Sequence, residues 1–225
     1  MKKIAALLLA LMFGMTLVAC GDKNKQDEKV SQTDVVAGGW TEPESTDVTD
    51  EVKNLLNKAT AKLAGGTYEP VAYLGSQVVA GTNHRILCKF TPATQDPTPT
   101  YAIVTVYEDL EGNAEIIEIL HSEAEVNVTD VVFDGGWFAP ETTKVPKEAV
   151  DALVNASANV VGASYHPVAL LGTQVVAGIN FCMLCEVTPA TENPEPHYAI
   201  VIAGQGVNGA TYTLQTYDFT AEDAE

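Results

Sequence analysis

The side chains able to do chemistry in this 225-residue chain are four cysteines, four histidines and an excess of acid, 30 Asp and Glu against 12 Lys and Arg. A catalytic thiol needs a base placed beside it, and a structural zinc needs Cys and His ligands in paired short spacings. Neither pattern is present. Cys182 and Cys185 are three residues apart, so on a strand they point to opposite faces and can neither pair nor share a metal. Cys88 and Cys185 hold the same place in an internal repeat, among alternating apolar residues, and read as small buried core groups. His84, His121, His166 and His197 fall at non-equivalent places in that repeat, which speaks against a shared catalytic or ligating duty. There is no glycine-rich phosphate loop and no Ser/His/Asp pattern backed by a helix. The chain reads as a non-enzyme, with no catalytic residue, no metal site and no cofactor. A formal charge of −18 also argues against nucleic acid as a partner, since phosphate binding needs clustered Lys and Arg.

Cys20 is a separate case. Lys2 and Lys3 precede an apolar run from Ile4 to Val18, the order of a signal peptide. The run ends Leu17-Val18-Ala19-Cys20, which resembles a bacterial lipobox. That resemblance implies removal of residues 1–19, lipidation of Cys20 and a membrane-anchored protein of the bacterial cell envelope. Gly21, where an inner-membrane lipoprotein would carry Asp, points to the outer membrane or cell surface. A spanning helix would need about 20 apolar residues, more than are present. Residues 20–34 are charged without apolar periodicity and read as a disordered tether.

The elements that must position any functional group come in two copies, offset by 97 residues. Gly38-Gly39-Trp40 returns as Gly135-Gly136-Trp137, and between Tyr68 and Val104, 24 of 37 positions are identical without a gap. A unit of about 90 residues is too long for a solenoid repeat, so two globular domains are expected, over 35–121 and 132–225, joined by a linker over 122–131. In the first unit Val48, Val52, Leu55, Leu56, Ala59 and Leu63 mark one apolar stripe and predict a helix over 48–63, ended by Gly65-Gly66. The second stripe is Val145, Ala149, Ala152, Leu153, Ala156 and Val160, with Pro146 in its first turn and Gly162 at its end.

Strand patterns follow. Residues 68–76 and 82–90 form one hairpin and 101–107 and 114–120 a second, separated by a proline-rich loop that cannot be a central strand. On the returning strand Ile86, Cys88 and Phe90 make an apolar face, while Arg85, Leu87 and Lys89 make a mixed one. One helix and two hairpins per unit predict the α+β class, an antiparallel sheet packed on a single helix.

The tip of the first hairpin is Gln77-Val78-Val79-Ala80-Gly81, repeated letter for letter as Gln174-Val175-Val176-Ala177-Gly178. Loops facing water are usually polar, so an uncharged apolar tip kept twice is a candidate binding feature. With Gly38-Gly39 and Gly135-Gly136 ahead of each helix, these residues resemble the cystatin superfamily, most closely its stefin branch. The resemblance covers nearly all of the chain after the tether. It implies two tandem domains, each an antiparallel sheet wrapped around one long helix. It also implies reversible, wedge-type inhibition of papain-like cysteine proteases, whether of a host, a competitor or the same cell. In that family the N-terminal arm and the two hairpins line one edge and enter the active-site cleft. Carried over, the protease-binding residues are Gly38, Gly39, Gln77, Val78, Val79, Ala80, Gly81, Leu110 and Gly112 in the first unit. In the second they are Gly135, Gly136, Gln174, Val175, Val176, Ala177 and Gly178. Val35-Val36 and Val132-Phe133 are the arm residues.

Both units lack the Pro-Trp of many secreted relatives. The first has an acidic second tip, Glu108-Asp109-Leu110-Glu111-Gly112, and the second a glycine-rich one, Gly204 to Gly209. Trp40 and Trp137 read as anchors of the first short strand on the core. The alternative function is a non-inhibitory binding or scaffold module of the same fold at the cell surface.

Overall fold

The computed structural model describes residues 38–124, 128–129 and 135–221. The signal segment, Cys20, the tether and the arm residues Val35-Val36 and Val132-Phe133 lie outside the described residues. In the first repeat, β1 (Trp40–Thr41) precedes α1 (Asp50–Thr60), β2 (Gly66–Val79), β3 (Gly81–Pro92), β4 (Thr100–Glu108) and β5 (Ala114–Ser122). A short β6 (Val128–Thr129) leads into the second: β7 (Trp137–Phe138), α2 (Lys147–Ser157), β8 (Ala163–Val176), β9 (Gly178–Pro189), β10 (His197–Gly206) and β11 (Tyr212–Ala221). The strands form a single sheet in the order β1-β2-β3-β4-β5-β11-β10-β9-β8-β7-β6. Its pairings are antiparallel except that of β6 with β7.

The expected α+β class, with a sheet wrapped around one long helix in each domain, is not what forms. The protein is mainly one curled antiparallel sheet with two short helices on it. Each helix has 11 residues, about 16 Å of axis at 1.5 Å per residue. The strands of the first hairpins have 12 to 14 residues, roughly 40 Å or more. A helix that covers less than half of a strand's length cannot be its wrapping axis.

Both helices stop short of the predicted span. Thr49 Oγ1 accepts from Val52 N at the start of α1, and Pro146 is the N-cap of α2. At the other end Thr60 Oγ1 donates back to the Leu56 carbonyl and Ser157 Oγ to that of Leu153, the local competition that marks a terminus. Leu63 and Val160 fall outside the helices and are exposed. Gly65 and Gly162 have positive φ but belong to the approach to β2 and β8.

The missing helical cover is supplied by the other repeat. Val52, Leu55 and Leu56 of α1 pack on Ile86, Cys88, Val104 and Val106, one face of the first half-sheet. Ala149, Ala152 and Leu153 of α2 pack on Met183, Cys185, Val201 and Ala203 in the second. The opposite faces meet each other: Leu74, Leu87 and Ile103 share a core with Leu171, Cys182, Leu184 and Ile200. The layers therefore run α1, first half-sheet, second half-sheet, α2. The strand face that looks mixed in sequence is the central core. Bulges help the sheet curl. They interrupt β2 after Pro70 and after Tyr73, and β8 at the equivalent Pro167 and Leu170.

A pseudo-twofold axis relates the repeats. The Thr46 and Thr143 hydroxyls, 97 residues apart and hence equivalent, hydrogen-bond to each other at 2.8 Å. At the β5–β11 seam Ser122 stands opposite Phe219, again equivalent residues. Because the central core belongs to both repeats, we expect one cooperative unfolding transition. Trp40, half-exposed on the first half-sheet, and Trp137, packed against the central core, report on different parts of the structure. Leu184→Ala, at a site with no solvent exposure, is expected to cost about 2–5 kcal/mol and to lower the denaturant midpoint equally for both probes. Separated Trp transitions would contradict the shared core.

Candidate functional site

Each repeat gathers three segments at one end of its half-sheet. The first hairpin turns at Ala80, with Val79 paired to Gly81, and in the second repeat at Ala177, with Val176 paired to Gly178. Gly81 and Gly178 have φ of 133° and 132°, a region that L side chains avoid. A Cβ at Gly81 would press on the Glu108 carbonyl oxygen and the Tyr107 ring, and one at Gly178 on the Gln205 carbonyl and Gly206. The glycine thus lets the backbone of the first hairpin lie directly on the root of the second.

The glutamine of the motif ties in the third segment. Gln77 Nε2 donates to the Gly38 carbonyl at 2.9 Å, and Asn83 Nδ2 donates to Gln77 Oε1 at 2.8 Å. Gln174 repeats this with Gly135 at 2.8 Å and Asn180 at 2.7 Å. In the first repeat Gly38 N also donates to the Val78 carbonyl. Trp40 pairs with Gln77 and Trp137 with Gln174, so Gly39 and Gly136 directly precede the short strand that pairs beside the tip. Trp40 is half-exposed with the Arg85 guanidinium stacked 3.9 Å over its ring, whereas Trp137 packs against the central core.

The apolar side chains at these ends face solvent. Val78 is 47% exposed and Val175 61%, and Val79 and Val176 are close behind. Leu110, at the second tip of repeat one, is 84% exposed, and Val207 holds the equivalent place in repeat two at 78%. Asp109 shapes the first of these tips. Its carboxylate accepts from Glu111 N, Asn113 N and Asn113 Nδ2, and these bonds, the Asn113 side chain foremost, hold it below the usual carboxylate range. Lys58 of α1 reaches the Gly112 carbonyl. The β10–β11 tip has only backbone bonds, from Gly206 N to Thr211 O and from Gly209 N to Gly206 O. Tyr107 Oη donates to the Ala80 carbonyl at 2.6 Å, while its equivalent in repeat two is Gly204. The first end is therefore acidic and braced, and the second uncharged and braced by fewer side chains.

All sixteen carried-over residues thus fall at these two ends. Sequence reading assigned no role to Asn83, Asn180, Tyr107 and Val207. The two asparagines were findable, because they are identical across the repeat and sit six residues after the motif glutamine. Val207 was hidden inside a run of small residues.

Elsewhere the reactive side chains are quiet. Burial pushes the thiols of Cys88 and Cys182 well above their usual range and that of Cys185 up to about 12, so none ionises near neutrality. Cys182 lies in the central core and Cys185 beneath α2, on opposite faces. Among the described residues no cluster of His, Cys, Asp and Glu could hold a metal ion. A recess of about 600 Å³ around Asp47, Glu69, Lys89, Tyr101 and Glu141 lies away from both tips.

His84 is a titratable group behind the first tip. Nδ1 is 2.9 Å from Tyr73 Oη, and Nε2 is 3.5 Å from Glu108 Oε2, within ion-pair reach but without hydrogen-bond geometry. Burial holds the imidazole below its ordinary 6.5, with Glu108 opposing the shift. A lowered value means that the unfolded chain takes up this proton at higher pH than the folded chain, so stability falls as pH drops through 6.5. Phe181 and Gln205 stand at the equivalent places in repeat two. His84→Phe is therefore expected to flatten the fall in denaturant midpoint between about pH 7.5 and pH 5.5. An unchanged slope would show that His84 does not carry it. No model of a known protein family and no curated protein matches this chain.

Proposed function

We propose that the protein is a reversible inhibitor of papain-like cysteine proteases, using each three-segment end as a wedge in the active-site cleft. The observation that carries this reading is the alignment of the Gly pair, the Gln-Val-Val-Ala-Gly tip and the second hairpin tip on one edge, with apolar side chains exposed. Uncharged tips lose little on desolvation, and apolar burial contributes roughly 25 cal/mol per Å² before binding costs. A tip already held by Gln77, Asn83 and Tyr107 needs little ordering on binding. The wedge offers no peptide bond to the nucleophile, so inhibition is by occupation. Glu108, Asp109 and Glu111 favour clefts with a basic rim at the first end.

A second reading, a non-inhibitory binding module, draws support from the fold. The core shared by the repeats is not that of two independent inhibitor domains. The Cys20 lipid anchor and placement at the bacterial envelope belong to the same proposal. They predict that Cys20→Ala abolishes incorporation of labelled fatty acid.

The direct test is titration of papain with the full-length chain against a small substrate. Loss of activity that returns on dilution is expected. It should disappear when Val78, Val79, Val175 and Val176 are all changed to Asp, substitutions at exposed positions that leave the core intact. Full papain activity at large molar excess would favour the binding-module reading.

A further inference from the structure

The seam between the repeats fixes where their two binding ends point. β5 leaves its tip at Ala114 and reaches the axis at Ser122; β11 leaves its own tip at Tyr212 and reaches the axis at Phe219. The two strands are antiparallel there, so they arrive at the axis from opposite directions. Their tips are separated by eight plus seven residues of strand, about 50 Å of path at 3.3 Å per residue. The first-hairpin tips follow, because Gly81 lies on Glu108 at the root of the β4–β5 turn and Gly178 on Gln205 at the root of the β10–β11 turn. A globular protease of about 220 residues has a diameter of roughly 45 Å. Two such molecules entering from opposite ends do not meet.

We infer that the protein is bivalent and rigid, holding two cysteine-protease molecules at once, one on each end and facing away from each other. The inference rests on the inhibitor reading above and adds simultaneity to it. Rigidity follows from the construction of the junction. It is an antiparallel ladder of three residue pairs backed by the central core, with the Thr46–Thr143 hydrogen bond as a second point on the axis. The ends therefore cannot swing together onto one partner.

The test uses papain of known active-site concentration and the full-length chain. Activity is expected to reach its minimum at 0.5 mole of chain per mole of papain. Val78→Asp with Val79→Asp, or Val175→Asp with Val176→Asp, should each move that equivalence point to 1.0, a twofold shift. Chain captured on immobilised papain should bind a second, labelled papain, and either paired variant should not. Equivalence at 1.0 for the unaltered chain, or failure of the second capture, would overturn bivalency while leaving inhibition intact. No loss of papain activity at molar excess would remove both readings.

Discussion

Each half-sheet must bury two apolar faces, and everything else in the structure answers that constraint. An 11-residue helix rich in alanine, as α2 is, covers only part of one face. The other face carries Leu184, Ile200 and Cys182, or Leu87 and Ile103 in the first repeat, with no solvent exposure or almost none. Burying groups of this size stabilises by about 1.5–3 kcal/mol each, and neither repeat has a second layer of its own to do it. The two faces are therefore buried against each other. The loops before the helices are drawn into the same arrangement. The Thr46 and Thr143 carbonyls accept from Tyr73 N and Leu170 N at the bulges of β2 and β8, while their hydroxyls meet on the axis.

At the ends of the half-sheets a different economy applies. The motif glutamine has both ends of its amide engaged, as acceptor from an asparagine and as donor to the glycine of the arm. Its place in the pentapeptide is thus one of holding the arm against the hairpin, and the valines present the contact surface. The motif glycine likewise sets the spacing between two hairpins. Only the apolar positions and the second tips remain free to differ in what they touch. There the repeats diverge, with Asp109 and Tyr107 in one and glycines in the other.

How far the fold could be read from sequence follows from the range of the interactions involved. The repeat, the order of helix and strands, the hairpin tips and the opposite facing of Cys182 and Cys185 rest on local periodicity and are legible. The fold class was not. Leu87 between Arg85 and Lys89 looks like a stray apolar residue on a wet face. It belongs to the core because Lys89 turns its amine to the Val128 carbonyl and Arg85 stacks on Trp40. Long cationic side chains hid a buried face by reaching out of it. The identity of Leu87 with Leu184 and of Ile103 with Ile200 was the available signal. The site was legible in its residues but not in its couplings, because a hydrogen bond from Gln77 to Gly38 spans 39 positions of sequence.

The pairing of Ser122 with its own counterpart Phe219 has a further consequence. Two identical polypeptides meeting edge to edge about a dyad would adopt this same register, with the residue on the axis facing its own copy and its neighbours paired symmetrically on either side. The chain is in this sense a dimer whose subunits share one backbone. An assembly of separate subunits comes apart on dilution, but a tethered one experiences its partner at an effective concentration set by the linker, on the order of millimolar. The covalent connection between β5 and β7 makes the two halves one chain, so the sheet that carries both ends keeps its integrity at any protein concentration.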